Sequence, residues 1–505
     1  MHGRPALAPK TENARIVKSK NNCRPWRLVA GASLALFVGG IAGLGAEPEA
    51  EKPALRRFME QDRLFGDWGG HRTALRDQHG VDFEFLYAAS VPTALSGGLQ
   101  SGSEYQGGLL MMLNVDSEKL GLWSHGSFRA SSLYMHSGPS FSDHHVGDLN
   151  RVSLLDFPDT FRLWELWYEH KFPDGKVSLK AGQLDIGMDF IVPEYYNTIG
   201  SVNFLNQTFF SPTMAFNVYD QPYFPVGNHA LAATPSAAPG ARLRADLTPQ
   251  PYAQAGVYEG NPDRSFGGTR FHLDGAEGAL SYFEVGFKHN QGKDAAGPPG
   301  TFKLGAWYHT DRFFDMYDGM FVAFDNLSVA MGGSPLGIIT SPREHGGNYG
   351  FYFLADHVLW LEHLKDDPAQ RGLVGFFRVA TATKDRNLAQ FGVDGGLVYK
   401  GLLPTRDWDT LGVAFSYLQI SDDLRHAQDD LRATLESLSP GAGAVVPHAD
   451  YEAVLEMNYK LQLAAWCAAD GSAQRVGFHR ANDVQILDRA GCEVEHSRTP
   501  TWGRS

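Results

Sequence analysis

Two short stretches, Val81-Asp-Phe-Glu-Phe85 and Tyr459-Lys-Leu-Gln-Leu463, decide how this chain folds. In both, apolar and polar residues alternate at every step, which is the period of a β-strand with one apolar face and one polar face. About a dozen more segments of this kind lie between them. So many two-faced strands, following a segment typical of an export signal, predict an all-β, transmembrane antiparallel β-barrel.

Fourteen segments have strand character, and many have the length of about ten residues that a tilted transmembrane strand needs. They are 81–90, 104–116, 124–135, 161–171, 176–184, 240–247, 252–259, 279–288, 301–310, 348–356, 372–381, 390–400, 409–420 and 450–463. Short connections alternate with long ones, and the long ones are 136–160, 186–239, 311–347 and 421–449. Short turns at one end and long loops at the other are the layout of a barrel.

The charged faces of these strands are expected to point into a water-filled interior. In segment 240–247, Leu243 and Ala245 alternate with Arg242 and Arg244. An Arg or Lys that faced lipid near the midplane would cost about 2–4 kcal/mol. The apolar faces should therefore contact lipid and the charged faces should line the lumen.

The longest connection, 186–239, is unusually aromatic for a surface loop. It contains Tyr195, Tyr196, Phe204, Phe209, Phe210, Tyr219, Tyr223 and Phe224. A loop folded into the lumen would bury these rings, whereas a loop packed on the rim would cap the barrel. Both arrangements are compatible with the sequence.

Composition restricts the class of protein further. With 43 % hydrophobic residues and a mean hydropathy of −0.27, the 505-residue chain is too polar for a helical membrane bundle. A barrel is compatible, because only every second strand residue faces lipid. The three cysteines are Cys23, Cys467 and Cys492, so a disulfide framework or a cysteine-ligated metal site in the body of the chain is disfavoured.

The chain divides into four predicted parts. Residues 1–46 resemble a signal peptide, with a basic flank, an apolar core from Leu28 to Ile41, and cleavage near Ala46. Residues 47–80 are a spacer and a short periplasmic helix, 81–466 are the barrel, and 467–505 are a tail. Loss of 1–46, which hold seven basic and one acidic residue, changes the formal net charge from −13 to −19. So acidic a chain disfavours nucleic acid as a partner.

Several short motifs, in this order, resemble the OprB-type carbohydrate-selective porins of the outer membrane. They are Gly66-Asp-Trp-Gly-Gly70, Leu163-Trp-Glu-Leu-Trp167, Ala181-Gly-Gln-Leu184, Gly240-Ala-Arg-Leu-Arg244, Val257-Tyr-Glu-Gly-Asn-Pro262, Gly300-Thr-Phe-Lys-Leu-Gly-Ala-Trp-Tyr-His309, Asn348-Tyr-Gly350, Tyr399-Lys-Gly-Leu402 and Tyr451-Glu-Ala-Val-Leu-Glu456. The resemblance covers about residues 61–466.

The resemblance implies a sixteen-stranded outer-membrane channel for passive diffusion of monosaccharides such as glucose. Such a protein is exported, uses no cofactor or metal, has no catalytic residues and is not an enzyme. Its expected partners are monosaccharides, outer-membrane lipid and the barrel-assembly machinery. The choice between a monomer and a homotrimer stays open.

The end of the chain departs from this family, whose members finish with two more strands and a terminal aromatic residue. After Trp466, the residues from Cys467 show no ten-residue alternation. We interpret 467–505 as a frameshifted or disordered tail. A barrel without its last strands has an open edge in lipid, where unpaired backbone groups are costly, so this chain is expected not to assemble a stable channel.

Sugar recognition in a channel requires hydrogen-bonding side chains on the lumen face and aromatic rings for the apolar face of the sugar. Residue type and strand parity favour Arg242, Arg244, Glu284, Lys303, Trp307 and Asp394. Glu165 qualifies by type alone, because Leu163 and Trp167 share its face. The alternative is that all seven belong to a generic solvated lumen wall.

Two other classes of function stay open. A soluble secreted β-rich carbohydrate-binding protein or hydrolase would have a similar composition, although the acidic residues form no recognisable catalytic pair. The chain could also be an inactive, truncated copy of a porin. The histidines show no HExxH spacing, and the sequence has no GxSxG, P-loop or dinucleotide fingerprint.

Overall fold

The computed structural model describes residues 26–37, 53–197, 202–210, 236–246, 248–262, 267–269, 278–291, 295, 297–362, 367, 369–446 and 448–481. The strands are β1 Trp26–Phe37, β2 Val81–Ser96, β3 Gly102–Ser103, β4 Gln106–Asp116, β5 Gly126–Ser137, β6 Thr160–Lys171, β7 Val177–Leu184, β8 Ala238–Ala245, β9 Pro251–Glu259, β10 Ala279–His289, β11 Gly300–Phe314, β12 Glu344–Leu361, β13 Gly372–Ala382, β14 Ala389–Lys400, β15 Thr410–Ile420, β16 His448–Ala464 and β17 Cys467–Ala481. The helices are α1 Ala54–Glu60, α2 His71–His79, α3 Gln207–Phe210, α4 Met316–Ala330 and α5 Asp422–Leu438. Shorter helical turns lie at Trp68–Gly70, Ser142–Val146, Ile186–Met188 and Ala442–Val445.

The strands form one antiparallel sheet, as the alternating pattern predicts. Apart from the two-residue β3, each strand from β2 to β17 pairs with its neighbours in chain order. β1 pairs with both β17 and β2, so the pairings form a ring. The predicted all-β barrel is therefore confirmed.

β1 was not predicted as a strand, because its residues overlap the apolar core of the predicted signal. Leu36 pairs with Cys467 on one side and with Tyr87 on the other. β2 and β17 are both antiparallel to β1 and so run parallel to each other. A ring in which all neighbouring strands are antiparallel needs an even number of strands. Among the described residues, β1 is the sixteenth strand longer than two residues. The signal peptide itself stays a prediction.

The prediction that barrel strands end at Trp466 is wrong, since Cys467–Ala481 form β17 along β16. Its inward residues make polar contacts: Ser472 donates to Glu456 (2.9 Å), and Gln474 donates to the carbonyl of Val152 (2.7 Å). The apolar period is weak here because three outward residues, Ala469, Gly471 and Ala473, are small. The next outward residue, Arg475, is charged. Residues 482–505 of the predicted tail lie outside the described residues.

The two ends of the barrel differ, as predicted. At the short-turn end the connections are brief, for example residues 172–176 and 465–466, and α2 leads into β2 there. At the long-loop end lie the extended connections 138–159, 185–237, 315–343 and 421–447. α4 and α5 cap this end, where Phe321 packs in a cluster with Leu431.

The outer wall is suited to lipid, which argues against the soluble alternative. Outward side chains such as Phe283, Leu304 and Phe351 are apolar and at least 53 % exposed. Exposed or half-buried aromatic rings form a girdle near each end, as membrane barrels require. They include Trp123, Tyr168, Trp360 and Tyr399 at the short-turn end, and Tyr105, Tyr134, Tyr308 and Tyr349 at the long-loop end. No helix among the described residues has the length and apolar character to cross a membrane.

Gly182 on β7 is a position where the fold requires glycine. Its φ is +143°, and a Cβ there would lie 2.2 Å from the Leu166 carbonyl oxygen. We expect Gly182→Ala to destabilise the barrel by about 1–3 kcal/mol, because both the strain and the clash must be accommodated. The unfolding temperature of the heat-modifiable band on a gel would fall. Gly471→Ala is the matched control, since no atom lies within 4 Å of that Cβ position, and an equal fall in both variants would contradict the prediction.

Candidate functional site

Two loops fold into the barrel instead of covering its rim. They are loop 138–159, between β5 and β6, and the described parts of the β7–β8 connection, residues 185–197 and 202–210, here called the inner segment. Tyr196, Phe204 and Phe209 of the inner segment are 0 % exposed and pack against Phe376 of the wall. The prediction that this aromatic loop folds into the lumen is thus confirmed for these three rings. Tyr219, Tyr223 and Phe224 lie outside the described residues.

Three carboxylates of the wall hold these loops by their backbone. Each accepts hydrogen bonds from two consecutive N–H groups, an arrangement that leaves those buried donors satisfied. The sets are Glu452 with Leu149 and Asn150 (2.5 and 2.8 Å), Glu456 with Leu205 and Asn206 (2.8 and 3.0 Å), and Asp356 with Tyr195 and Glu194 (2.8 and 2.6 Å).

Glu284, one of the predicted site residues and part of the wall, accepts four hydrogen bonds. It accepts from the Ile191 N–H of the inner segment (3.0 Å) and from the Gln254 amide (2.9 Å). The hydroxyls of Tyr252 and Tyr352 donate to it at 2.8 and 2.9 Å. Glu284 is 0 % exposed, so this carboxylate joins three strands to the inner segment.

The cations of the wall also contact the inner segment. Lys180 bonds Asp189 at 2.6 Å, Arg242 lies 3.4 Å from the same carboxylate, and Lys303 lies 3.0 Å from Glu194. Burial opposes the ionisation of Glu194, but the Lys303 and Lys288 charges hold the pKa of this loop carboxyl below its ordinary value. Opposite charges thus pair across the interface between wall and segment.

Asp394, also predicted, pairs with Arg378, an inward-facing arginine that was not among the predicted site residues. Arg378 lies opposite it in the register of β13 and β14 and donates to it at 2.8 Å. A second guanidinium nitrogen donates to the Thr208 carbonyl of the inner segment at 2.6 Å. A cavity of about 20 Å³, enough for one water, remains among these groups and Ile191. Arg378 could have been identified from the alternation of β13, which places it on the lumen face together with Phe376.

A β-bulge resolves the conflicting parity of Glu165. Ala130 pairs with Leu166 but Ser132 pairs with Leu163, so β6 has one extra residue at this point. Glu165 therefore points inward with 1 % exposure, although Leu163 and Trp167 flank it by parity. It accepts from the Trp167 indole at 3.2 Å.

The seven predicted residues all lie on the lumen side of the wall, but they differ in how much of their surface is exposed to solvent. Trp307 is 3 % exposed and belongs to an apolar cluster with Tyr282, and Arg242 is 5 % exposed. The Arg244 side chain keeps 23 % of its surface exposed at the short-turn end. Direct sugar contact by any of the seven stays a prediction.

Arg244 belongs to a partly open group of side chains, here called the mouth cluster: Arg244, Asp246, Tyr252, Lys288 and Glu194. The guanidinium lies 3.9 Å from the Tyr252 ring centroid and bonds Asp246 at 2.7 and 2.8 Å. This hydrogen bonding lowers the pKa of Asp246. Lys288 and Glu194 keep 26 % and 32 % of their side-chain surface exposed. The cluster offers donors and acceptors to a solute entering the lumen, and the buried Tyr252 ring supports the Arg244 guanidinium.

The described part of the chain has no group of three or more His, Cys, Asp or Glu side chains arranged to hold a metal ion. The geometry is that of a polar channel narrowed by inward loops. Its charged wall groups are used mainly to fix those loops, and its open groups gather at the short-turn end.

Comparisons with known proteins agree with this geometry. The family model for the carbohydrate-selective porins, OprB family, matches residues 100–474. Porin B of Pseudomonas aeruginosa is 26 % identical over 408 residues, covering 78 % of this chain and 81 % of that protein. A putative porin, QuiX, of Acinetobacter baylyi is 24 % identical over 454 residues, covering 86 % and 92 %. The high-pH structure of Pseudomonas putida OprB, 22 % identical, covers 83 % of this chain and 99 % of its own, with a TM-score of 0.67, and shows the same fold.

Proposed function

Since this chain belongs to the OprB family of carbohydrate-selective porins and is thus an outer-membrane sugar channel, we propose that monosaccharides such as glucose cross it by passive diffusion. Export directed by residues 1–46, insertion by the barrel-assembly machinery and contact with outer-membrane lipid are parts of the same proposal. Because β1 lies within residues 1–46, the proposed channel forms only from chains that keep Trp26–Phe37 after export.

The observation that supports this proposal is the inner segment, fixed by charged wall groups in the lumen. A channel narrowed by a rigid segment selects solutes by size, and no bound cofactor or energy source enters into such selection. Glu284 and Lys303 contribute by positioning the segment, since both are at most 3 % exposed. Their function in selectivity would be indirect.

Direct sugar contacts are assigned to the mouth cluster. Arg244 presents donors in a fixed fork and Glu194 presents acceptor oxygens, while the buried Tyr252 ring, 4 % exposed, supports the Arg244 guanidinium. These donors and acceptors suit a hexose, which carries hydroxyls at its edge. Arg242, the other favoured arginine, is committed to Ser178 (2.8 Å) and Glu169 (3.0 Å).

Single-channel recording in planar bilayers tests the assignment. Glucose is expected to reduce the conductance in a saturable way. Arg244→Ala is expected to weaken this block roughly tenfold, because it removes hydrogen bonds from a charged donor worth about 1.5 kcal/mol. Arg312→Ala, at a 76 % exposed side chain of the long-loop end, is the control. Glucose that leaves the wild-type conductance unchanged contradicts the sugar channel, and equal block in both variants contradicts the mouth cluster.

A further inference from the structure

Asp148 is an acid buried where loop 138–159 meets the barrel wall. It is 4 % exposed and lies beside Glu452 of β16. The Ser142 hydroxyl and the backbone N–H of Asp148 lie near its carboxyl oxygens, but among the described residues no hydrogen bond of normal geometry reaches either oxygen. Two carboxyl groups buried side by side cannot both carry a charge without a large cost. One of the two must therefore hold a proton while the loop is docked.

The hydrogen bonds decide which carboxyl holds it. Both oxygens of Glu452 accept backbone N–H groups, from Leu149 at 2.5 Å and Asn150 at 2.8 Å, so its ionised form is the one that docks the loop. Two residues after Asn150, the Val152 carbonyl accepts from Gln474 at 2.7 Å. The proton is thus assigned to Asp148, at the start of the docked stretch.

The charged groups that act on Asp148 are both acidic. They are Glu452 of β16 and Asp156 of the same loop. Burial, and then the Glu452 carboxylate, raise the pKa of Asp148 to about 8, while the Ser142 hydroxyl opposes the rise. A neutral Asp148 fits this site, and an ionised one is repelled by both neighbours.

We propose that Asp148 is a positioning residue of the channel: as a neutral acid it keeps loop 138–159 docked in the lumen, and its ionisation releases the loop. The inference rests on the proposed function, because the loop lies in the channel that sugars would cross. The released loop no longer occupies its part of the lumen, so the channel conducts more.

The direction of the pH dependence follows from proton uptake. In a released loop the carboxyl is solvated and regains its ordinary pKa of 3.8. Between this value and about 8 the docked state binds one more proton, so docking weakens as pH rises through this window. The ratio of released to docked loop rises about tenfold per pH unit there and levels off above pH 8.

Conductance at a series of pH values gives the first test. The wild-type channel is expected to conduct more at about pH 9 than at about pH 6, because the loop is released. Asp148→Asn keeps the size of the side chain without its charge, so its conductance should stay at the docked value throughout. Asp143→Asn, in the same loop with 21 % of its side chain exposed, should keep the wild-type pH profile. An unchanged pH profile in Asp148→Asn overturns the proposal.

Trypsin supplies a second readout that needs no conduction. The Arg151 side chain is 16 % exposed and donates to the Asp156 carbonyl at 2.6 Å, so cleavage after it requires release of the loop. Relative to cleavage at an exposed site, cutting at Arg151 should rise with pH in the wild type and stay low in Asp148→Asn. Equal cutting in both at about pH 9 overturns the proposal. A channel that never conducts would contradict the proposed function alone, and the cleavage result would still decide the role of Asp148.

Discussion

A version of this chain that begins at residue 47 behind a foreign export signal is expected to yield no heat-modifiable, trypsin-resistant barrel. A version that keeps Trp26–Phe37 behind the same signal is expected to yield one. The reason is topological: without β1, the parallel neighbours β2 and β17 lose their pairing partner. Unpaired backbone groups cost several kcal/mol each in lipid, so the effect approaches all or none.

A single substitution shows whether Trp26–Phe37 must form a strand or need only be present in the chain. Ala32 pairs with Gly471 on one side and with Val91 on the other, so a proline there cannot be accommodated as it could on an edge strand. Ala32→Pro in the longer version should abolish the resistant band. A resistant barrel from the version that begins at residue 47 would contradict this prediction. It would also show that the sheet closes without β1.

Replacement of Glu284 by alanine is expected to widen the channel. The substitution removes the acceptor for the Ile191 N–H and for the hydroxyls of Tyr252 and Tyr352. Each buried donor left without a partner costs about 1–3 kcal/mol, and the inner segment can satisfy its own N–H only by moving into water. Single-channel conductance should rise several-fold, and block by glucose should weaken because the segment no longer narrows the lumen.

Two further variants show whether the effect of Glu284 is specific. Glu284→Gln keeps an acceptor oxygen and the size of the side chain, so its conductance should lie between wild type and Glu284→Ala. Glu344→Ala, at a 43 % exposed side chain of the long-loop end, should conduct as the wild type does. A wild-type conductance in Glu284→Ala would show that this carboxylate does not hold the inner segment in place.

The architecture of the barrel was predictable because strand period and lipid exposure are properties of neighbouring residues. Fourteen of the long strands and the four long connections named from the sequence were placed close to their observed bounds. β1 and β17 were missed for two different reasons. Trp26–Phe37 is apolar enough to be read as a signal core, and the outward face of β17 has Ala and Gly where the pattern requires large apolar residues.

For the site, the sequence predicted only which side chains face the lumen, and not what they bind. Alternation placed Arg242, Glu284, Lys303 and Asp394 on the lumen face, and the structure has them there. Their partners are backbone groups of loops distant in sequence, such as the Ile191 N–H, 93 residues before Glu284. Every residue but proline has this donor, so no side-chain pattern shows which loop a carboxylate binds. Asp148 escaped notice for the same reason.

Liposome swelling tests the central claim, that this barrel is a sugar channel narrowed by its inner segment. Liposomes that contain the chain with Trp26–Phe37 should swell in isotonic glucose and swell much more slowly in an isotonic trisaccharide, because the fixed segment admits only small solutes. Swelling no faster than that of protein-free liposomes would contradict the channel, and equal rates for both sugars would contradict selection by the narrowed lumen.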